Sequence, residues 1–198
     1  RSNIPLSETW DINHRPLDII VGFSNYEAGY RITDYAIKKK YKKFVFVTSS
    51  DKFMQREVRG AKRLEGFIDR MTKENLKYEN FQISDPLDYI RSGEEIFSYY
   101  KKNKSKIDCI ITFNEMTGLG ILSIALRNNI KVPKQLGIAG IGNASVTDLL
   151  ENKLTTVNTN QYLMGKLAAS KLIDRINGVT LEQRIIDVGT SIVKGFSL

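Results

Sequence analysis

Apolar residues follow one another along this chain in two alternating rhythms. Short runs are apolar at almost every position and end at turn residues: Asp18–Phe23, Phe44–Thr48, Phe81–Ile83, Asp108–Phe113 and Leu136–Ile141. Such runs predict strands, and several are apolar on both faces, as in strands covered above and below. Between them the apolar positions fall three and four apart, the helical spacing. Ala28, Ile32, Tyr35 and Ala36 form one stripe, and Val58, Ala61, Leu64, Phe67, Ile68 and Met71 a second. Ile96, Phe97 and Tyr100 form a third, and Leu119, Leu122 and Leu126 a fourth. Strand and helix in alternation predict an α/β fold, a doubly wound parallel sheet built by right-handed crossovers. After the fifth strand the rhythm changes. A short helix over Val146–Leu150 and a strand over Leu154–Val157 come first. A long helix carrying Met164, Leu167, Ala168, Leu172 and Ile176 then stops at Asn177-Gly178, before a last strand over Arg184–Val188. These end pieces, with residues 1–17, read as parts of a neighbouring lobe.

Composition narrows the chemistry. The 198 residues are 41% hydrophobic and 10% aromatic, enough for a real core and too apolar for a disordered tail. A single cysteine, Cys109, and a single histidine, His14, leave no intrachain disulfide, no His/Cys zinc cluster and no cysteine redox pair. Cys109 lies in a strand run, where a buried inert thiol is the expectation. No apolar run approaches the roughly 20 residues of a membrane span, and no signal-peptide pattern opens the chain. A cytoplasmic protein without membrane contact is expected. The chain begins at Arg1 rather than at Met, and reads as part of a longer protein.

Charge sorts the two ends of the sheet. Lys+Arg 30 against Asp+Glu 22 gives a net +8. Two basic runs, Lys38–Lys43 and Lys101–Lys106, each end a helix and precede a strand, so they belong to the amino edge of the sheet. There they match helix C-terminal dipoles as a solvated surface, or offer a patch to a polyanion. The opposite edge is where open α/β sheets bind ligands. Its loops are Ser24-Asn25, Thr48-Ser49-Ser50-Asp51, Ser84-Asp85, Asn114-Glu115 and Gly142-Asn143. Each can cap a helix or contact a ligand, and five polar loops on one edge point to a cleft. Glycine-rich phosphate loops and nucleophile elbows are missing, so neither an enzyme nor a cofactor is expected. Asp51, Asp85 and Glu115 are carboxylates that topology alone offers for an acid/base pair in the cleft.

Several stretches, in order, resemble the LacI/GalR family of transcriptional regulators, close to its gluconate-repressor branch. Glu8-Thr9-Trp10-Asp11 is followed by Val21-Gly22-Phe23-Ser24-Asn25-Tyr26-Glu27-Ala28-Gly29, similar to a family strand and helix start. Arg63-Leu64-Glu65-Gly66-Phe67 resembles its Arg-x-x-Gly-Phe segment. Ile111–Glu115 with Gly118-Leu119-Gly120 resembles its Asn-Asp-x-x-Ala-x-Gly signature. Val132-Pro133 with Leu136–Asn143 resembles its Val-Pro…Ile-x-Gly-Phe-Asp-Asn segment, and Leu154–Val157 leads into a helix ending Asp174-Arg175-Ile176-Asn177-Gly178. The match runs over nearly the whole chain.

The resemblance implies a periplasmic-binding-protein-like (type I) fold: two Rossmann-like lobes, three crossing segments, and an effector held between the lobes. One complete lobe is expected over 24–157, with a remnant of the other over 1–23 and the returning helix and strands over 158–198. It further implies a sugar or sugar-acid effector such as gluconate, a homodimer, and operator DNA bound through an N-terminal domain outside this chain. A solute-binding protein for sugar transport is the alternative on the same fold. Carried over residue by residue, the effector contacts would be Arg63, whose guanidinium can fork onto a hydroxyl pair or carboxylate, and Asn114, which can equally cap a helix. Trp10 and Asp11 fall near a hinge position, Tyr89 near an aromatic wall, and Asn143 in the Gly-Asn segment. Three departures stand out. Glu115 replaces Asp, Thr159-Asn160 replaces Gln-Pro, and Gly142 stands where many sugar-binding members carry Asp. Loss of that carboxylate beside Arg63 is expected to favour an acidic effector.

Overall fold

The structure is a computed structural model that describes residues 4–12, 15–49, 57–142, 151 and 153–198. Two sheets share the chain. The larger has six strands in the order β4-β3-β5-β6-β7-β9, formed by β3 (Phe44–Ser49), β4 (Tyr78–Ile83), β5 (Cys109–Thr112), β6 (Gly137–Ile141), β7 (Thr155–Asn158) and β9 (Ser191–Val193). All its neighbours run parallel except β7 and β9. The smaller is a parallel triplet of β1 (Ser7–Thr9), β2 (Ile19–Gly22) and β8 (Ile185–Asp187), in the order β1-β2-β8. The first apolar run therefore belongs to a different sheet from the four that follow it.

Every residue of β3, β5 and β6 is buried, as their two-faced apolar runs require. Two helix pairs flank the large sheet: α1 (Asn25–Lys38) with α2 (Val58–Lys73), and α3 (Tyr89–Lys102) with α4 (Glu115–Arg127). Phe67 of α2 packs its ring 4.8 Å from that of Phe46 on β3, inside a core that runs from Phe23 to Leu198. Small residues let each pair close. A Cβ on Gly29 would overlap the Arg63 carbonyl, and one on Gly66 the Tyr26 carbonyl. Gly120 meets the Tyr89 carbonyl in the same way between α3 and α4.

The fifth helix, α5 (Gln161–Ile176), packs on the small sheet, with Met164 and Ala168 against Ile19 and Val21. Arg175 near its end pairs with Asp18 at 3.1 Å. Among the described residues the chain passes between sheets three times: from β2 into α1, from β7 into α5, and from β8 into β9. Hydrogen bonds tie the crossings together. Asn160 Nδ2 donates to Val188 O at 2.8 Å, and Val188 N donates to Gly22 O at 2.8 Å. Asn160 holds a left-handed backbone at φ 49°, which asparagine tolerates better than most residues. That is how Thr159-Asn160 makes this crossing.

The expected helix at Val146–Leu150 lies outside the described residues, as do Asp51, Asn143 and His14. Two strands of three residues, β1 and β9, were not anticipated. The basic runs meet at the amino ends of β3 and β5, where Lys43 Nζ donates to Ser105 O at 2.6 Å. The Asp108 carboxylate accepts from the backbone of Lys42 and Lys43 there.

Candidate functional site

After β3 the chain winds outward to β4, then returns to form β5 on the other side of β3. The direction of winding reverses between β3 and β5, and such a reversal opens a crevice at the carboxyl ends of the strands. A cleft of about 250 Å³ lies there. Its walls come from the start of α2 (Glu57, Arg59, Arg63), the lead into α3 (Pro86, Leu87, Tyr89) and the ends of β5 and β6 (Phe113, Asn114, Glu115, Ile141, Gly142). Trp10, after β1 of the small sheet, and Gln161, at the start of α5, complete it. The volume is below the about 300–1,000 Å³ usual for drug-sized ligands, which suits a small solute.

Arg63 spans the reversal. It projects from α2, yet its Nη1 donates to Phe113 O beyond β5 at 2.7 Å, and its Nε donates to Asn25 Oδ1 at 2.9 Å. Burial pushes its pKa down to about 10, with the Arg59 charge adding to the shift and the carboxylates of Glu115, Glu57 and Asp11 opposing it. At neutral pH it stays cationic. Two of its nitrogens are committed, and Nη2 has no partner among the described residues. Asn114 does both jobs its sequence position allows. Its Oδ1 caps α4 by accepting from Thr117 N at 2.7 Å, while its amide nitrogen has no partner among the described residues.

Trp10 enters from the other sheet with a left-handed backbone, φ 79°. Its ring packs edge-on against Phe23, and the Arg59 guanidinium lies over it at 5.9 Å. Arg59 is further held by the fork of Glu57, at 2.6 Å through both Nε and Nη2. Asp11 does not line the cleft. It sits behind, within 3.5 Å of Asn25 Nδ2, and adds a negative field toward both arginines. Tyr89 is half-buried on the cleft wall rather than in the core.

Asn25 was read from the sequence as a rim residue, but it is fully buried. Its amide joins the two sheets: Nδ2 donates to Trp10 O at 2.9 Å while Oδ1 receives Arg63 Nε. Ser84 also leaves the rim, because Glu95 accepts its hydroxyl and its backbone N–H. Among the described carboxylates, Asp85 is off the cleft and caps Leu87 N, so it forms no acid/base pair with Glu115.

The largest correction concerns Gly142. A negative group is not missing beside Arg63, because a Cβ on Gly142 would overlap the Glu115 carboxylate. The glutamate at the head of α4 fills the space that a side chain at 142 would take. Burial raises its pKa above the ordinary 4.5, against its own backbone N–H and the field of Arg63. Glu57, Arg59 and Glu115 were not among the expected ligand contacts. The sequence placed Glu115 in a polar loop on the ligand edge and marked its departure from the usual Asp, but not its position over Gly142.

This fold, with its crevice between two sheets and three tied crossings, is shared by solved LacI-family regulators. The periplasmic binding protein-like domain family matches residues 33–198, and the chain belongs to that family, in its LacI/GalR regulator branch. The NTD biosynthesis operon regulator NtdR of Bacillus subtilis is 27% identical over 91% of this chain and 54% of its own length. The HTH-type transcriptional regulator GntR of Escherichia coli is 24% identical over 100% of this chain and 58% of its own. The chain therefore spans little more than half the length of these relatives, which are named as regulators rather than enzymes. In structure, a LacI-family regulator from Silicibacter pomeroyi superposes with a TM-score of 0.88 at 24% identity, over 96% of this chain and 57% of the other. The regulator GntR from Chromobacterium violaceum gives 0.83 at 23%, over 98% and 69%.

Proposed function

We propose that this chain is the effector-binding and dimerisation part of a cytoplasmic bacterial repressor, and that the cleft takes a sugar or sugar acid. One observation carries the reading. Arg63 and Asn114, from opposite sides of the winding reversal, meet on one small cleft that Trp10 closes from the other sheet. Arg63 Nη2 and the Asn114 amide are donors for ligand oxygens, and Trp10 and Tyr89 line the same cleft with aromatic surface for the apolar side of a sugar. A fold neighbour from Alkaliphilus metalliredigens was solved complexed with D-xylulofuranose, which supports a ligand of this size and kind.

In this reading residues 24–157 make up most of one lobe, which β9 and the residues after it complete, while 1–23 belong to the second together with α5 and β8. Operator DNA is contacted by an N-terminal domain of the longer protein. Effector acts by binding one lobe arrangement more tightly than another; only that difference in affinity can shift the equilibrium. The tied crossings at Gly22, Asn160 and Val188 are where the lobes pivot. A transport solute-binding protein would share the fold, but the relatives' names favour a regulator.

The test is calorimetric titration of the intact protein with a panel of pentoses, hexoses and sugar acids. At least one should bind, and Arg63→Ala should weaken it by at least about tenfold, the loss expected when a charged hydrogen bond is removed. Unchanged affinity in that variant removes Arg63 from the site and the reading with it.

A further inference from the structure

The cleft carries a carboxylate that a residue-by-residue comparison would miss. Glu115 opens α4, while Gly142 follows β6 in a conformation, φ +126°, that side chains rarely adopt. The Glu115 carboxyl group lies over Gly142 in the space a Cβ would need. It serves no structural partner among the described residues. Its only hydrogen bond there is with its own backbone N–H, and Arg63 feels its charge without forming an ion pair with it. A half-buried carboxylate on a cleft wall with spare acceptor capacity is placed for a ligand donor.

The remaining charges point the same way. Among the described residues the cleft holds two guanidiniums, Arg59 and Arg63, and two carboxylates, Glu57 and Glu115, with Asp11 behind. Arg59 is taken by the Glu57 fork and the face of Trp10. Arg63 keeps one nitrogen free, directly in the field of Glu115. These described groups contain no surplus cation to receive an anion.

We propose that Glu115, standing over Gly142, makes this site select an uncharged polyhydroxylated effector over its carboxylated counterpart. The carboxylate accepts ligand hydroxyl protons, which a sugar supplies in pairs, and repels a ligand carboxylate brought into the same small space. Arg63 Nη2 and the Asn114 amide donate to the ligand's other oxygens. The inference rests on the effector-site reading above and narrows it to one side of the sugar and sugar-acid choice.

The test pairs ligands that differ by one carboxylate: glucitol with gluconate, ribitol with ribonate, glucose with glucuronate. Each is titrated calorimetrically into the intact protein at neutral pH, into Glu115→Gln, and into Glu115→Asp. In the unmodified protein the neutral member of the binding pair should be at least tenfold tighter. Glu115→Gln, which keeps the shape and removes the charge, should cut that ratio at least tenfold, and Glu115→Asp should keep the neutral preference. A tighter carboxylated member, or a ratio that Glu115→Gln leaves alone, overturns the assignment of Glu115 while the effector site stands. Failure of every pair to bind overturns the effector-site reading itself, and this inference with it.

Discussion

Glu115 shows how a single side chain can reverse a conclusion drawn from its neighbours in sequence. Gly142 suggested a vacancy, and a carboxylate from 27 positions earlier occupies it. Because burial raises the folded-state pKa of Glu115 above 4.5, the folded protein holds the proton more tightly than the unfolded chain. The sign follows by linkage. The folded state is relatively favoured below the ordinary carboxylate pKa, and that advantage is lost as pH rises through the raised value. Glu115→Gln should therefore melt at a higher temperature than the unmodified protein near pH 7–8. The gain should shrink as the pH falls through the raised value and vanish below about 4.5, where both states protonate the glutamate. Melting curves across that range check the direction; a variant less stable at pH 8 would show that Glu115 is held as a needed partner of Arg63. Arg63 itself was legible as a candidate from the sequence. Its anchoring by Asn25 and Phe113 O was not, since those residues lie 38 and 50 positions away.

At the scale of elements, the two-faced apolar runs became β3, β5 and β6, because burial on both sides leaves a continuous signal, whereas Phe81–Ile83 is the end of the mostly exposed edge strand β4. The helices were equally plain from their spacing. The three-residue strands β1 and β9 sit in no apolar run and have no local signal, whereas the equally short β8 lies within the run Arg184–Val188. The closeness of helix pairs was also hidden, since a glycine in a helix looks like a weak point until its neighbour is known. Gly66 makes the case. Alanine is the better helix former by about 1 kcal/mol, so propensity alone says Gly66→Ala stabilises. The added methyl would strike the Tyr26 carbonyl of α1, and overpacking against backbone costs about 1–3 kcal/mol. Net destabilisation is expected, read as a lower denaturation midpoint in urea at unchanged slope.

At the scale of the molecule, the last residues described are structural rather than trailing. Ser197 Oγ donates to Ile138 O at 2.6 Å and accepts from Thr155 N at 2.8 Å, so it bridges β6 and the start of β7 from within the core. Ser197→Ala should cost about 1–3 kcal/mol in chemical denaturation, because it leaves a buried donor and a buried acceptor without partners. A change within a few tenths of a kcal/mol would mean that water or relaxation replaces both bonds. Hydrophobic periodicity alone determined that this chain builds a parallel α/β sheet, and the small polar residues after its strands marked the edge where a ligand cleft would open. Both are local properties, since a strand's burial and a loop's polarity are carried by adjacent residues. Only the tertiary structure decided which sheet each strand joins, how Asn25 couples Trp10 to Arg63, and that the charge missing at 142 is supplied by Glu115. Those outcomes depend on contacts between residues far apart in the chain, and on the space one side chain leaves for another.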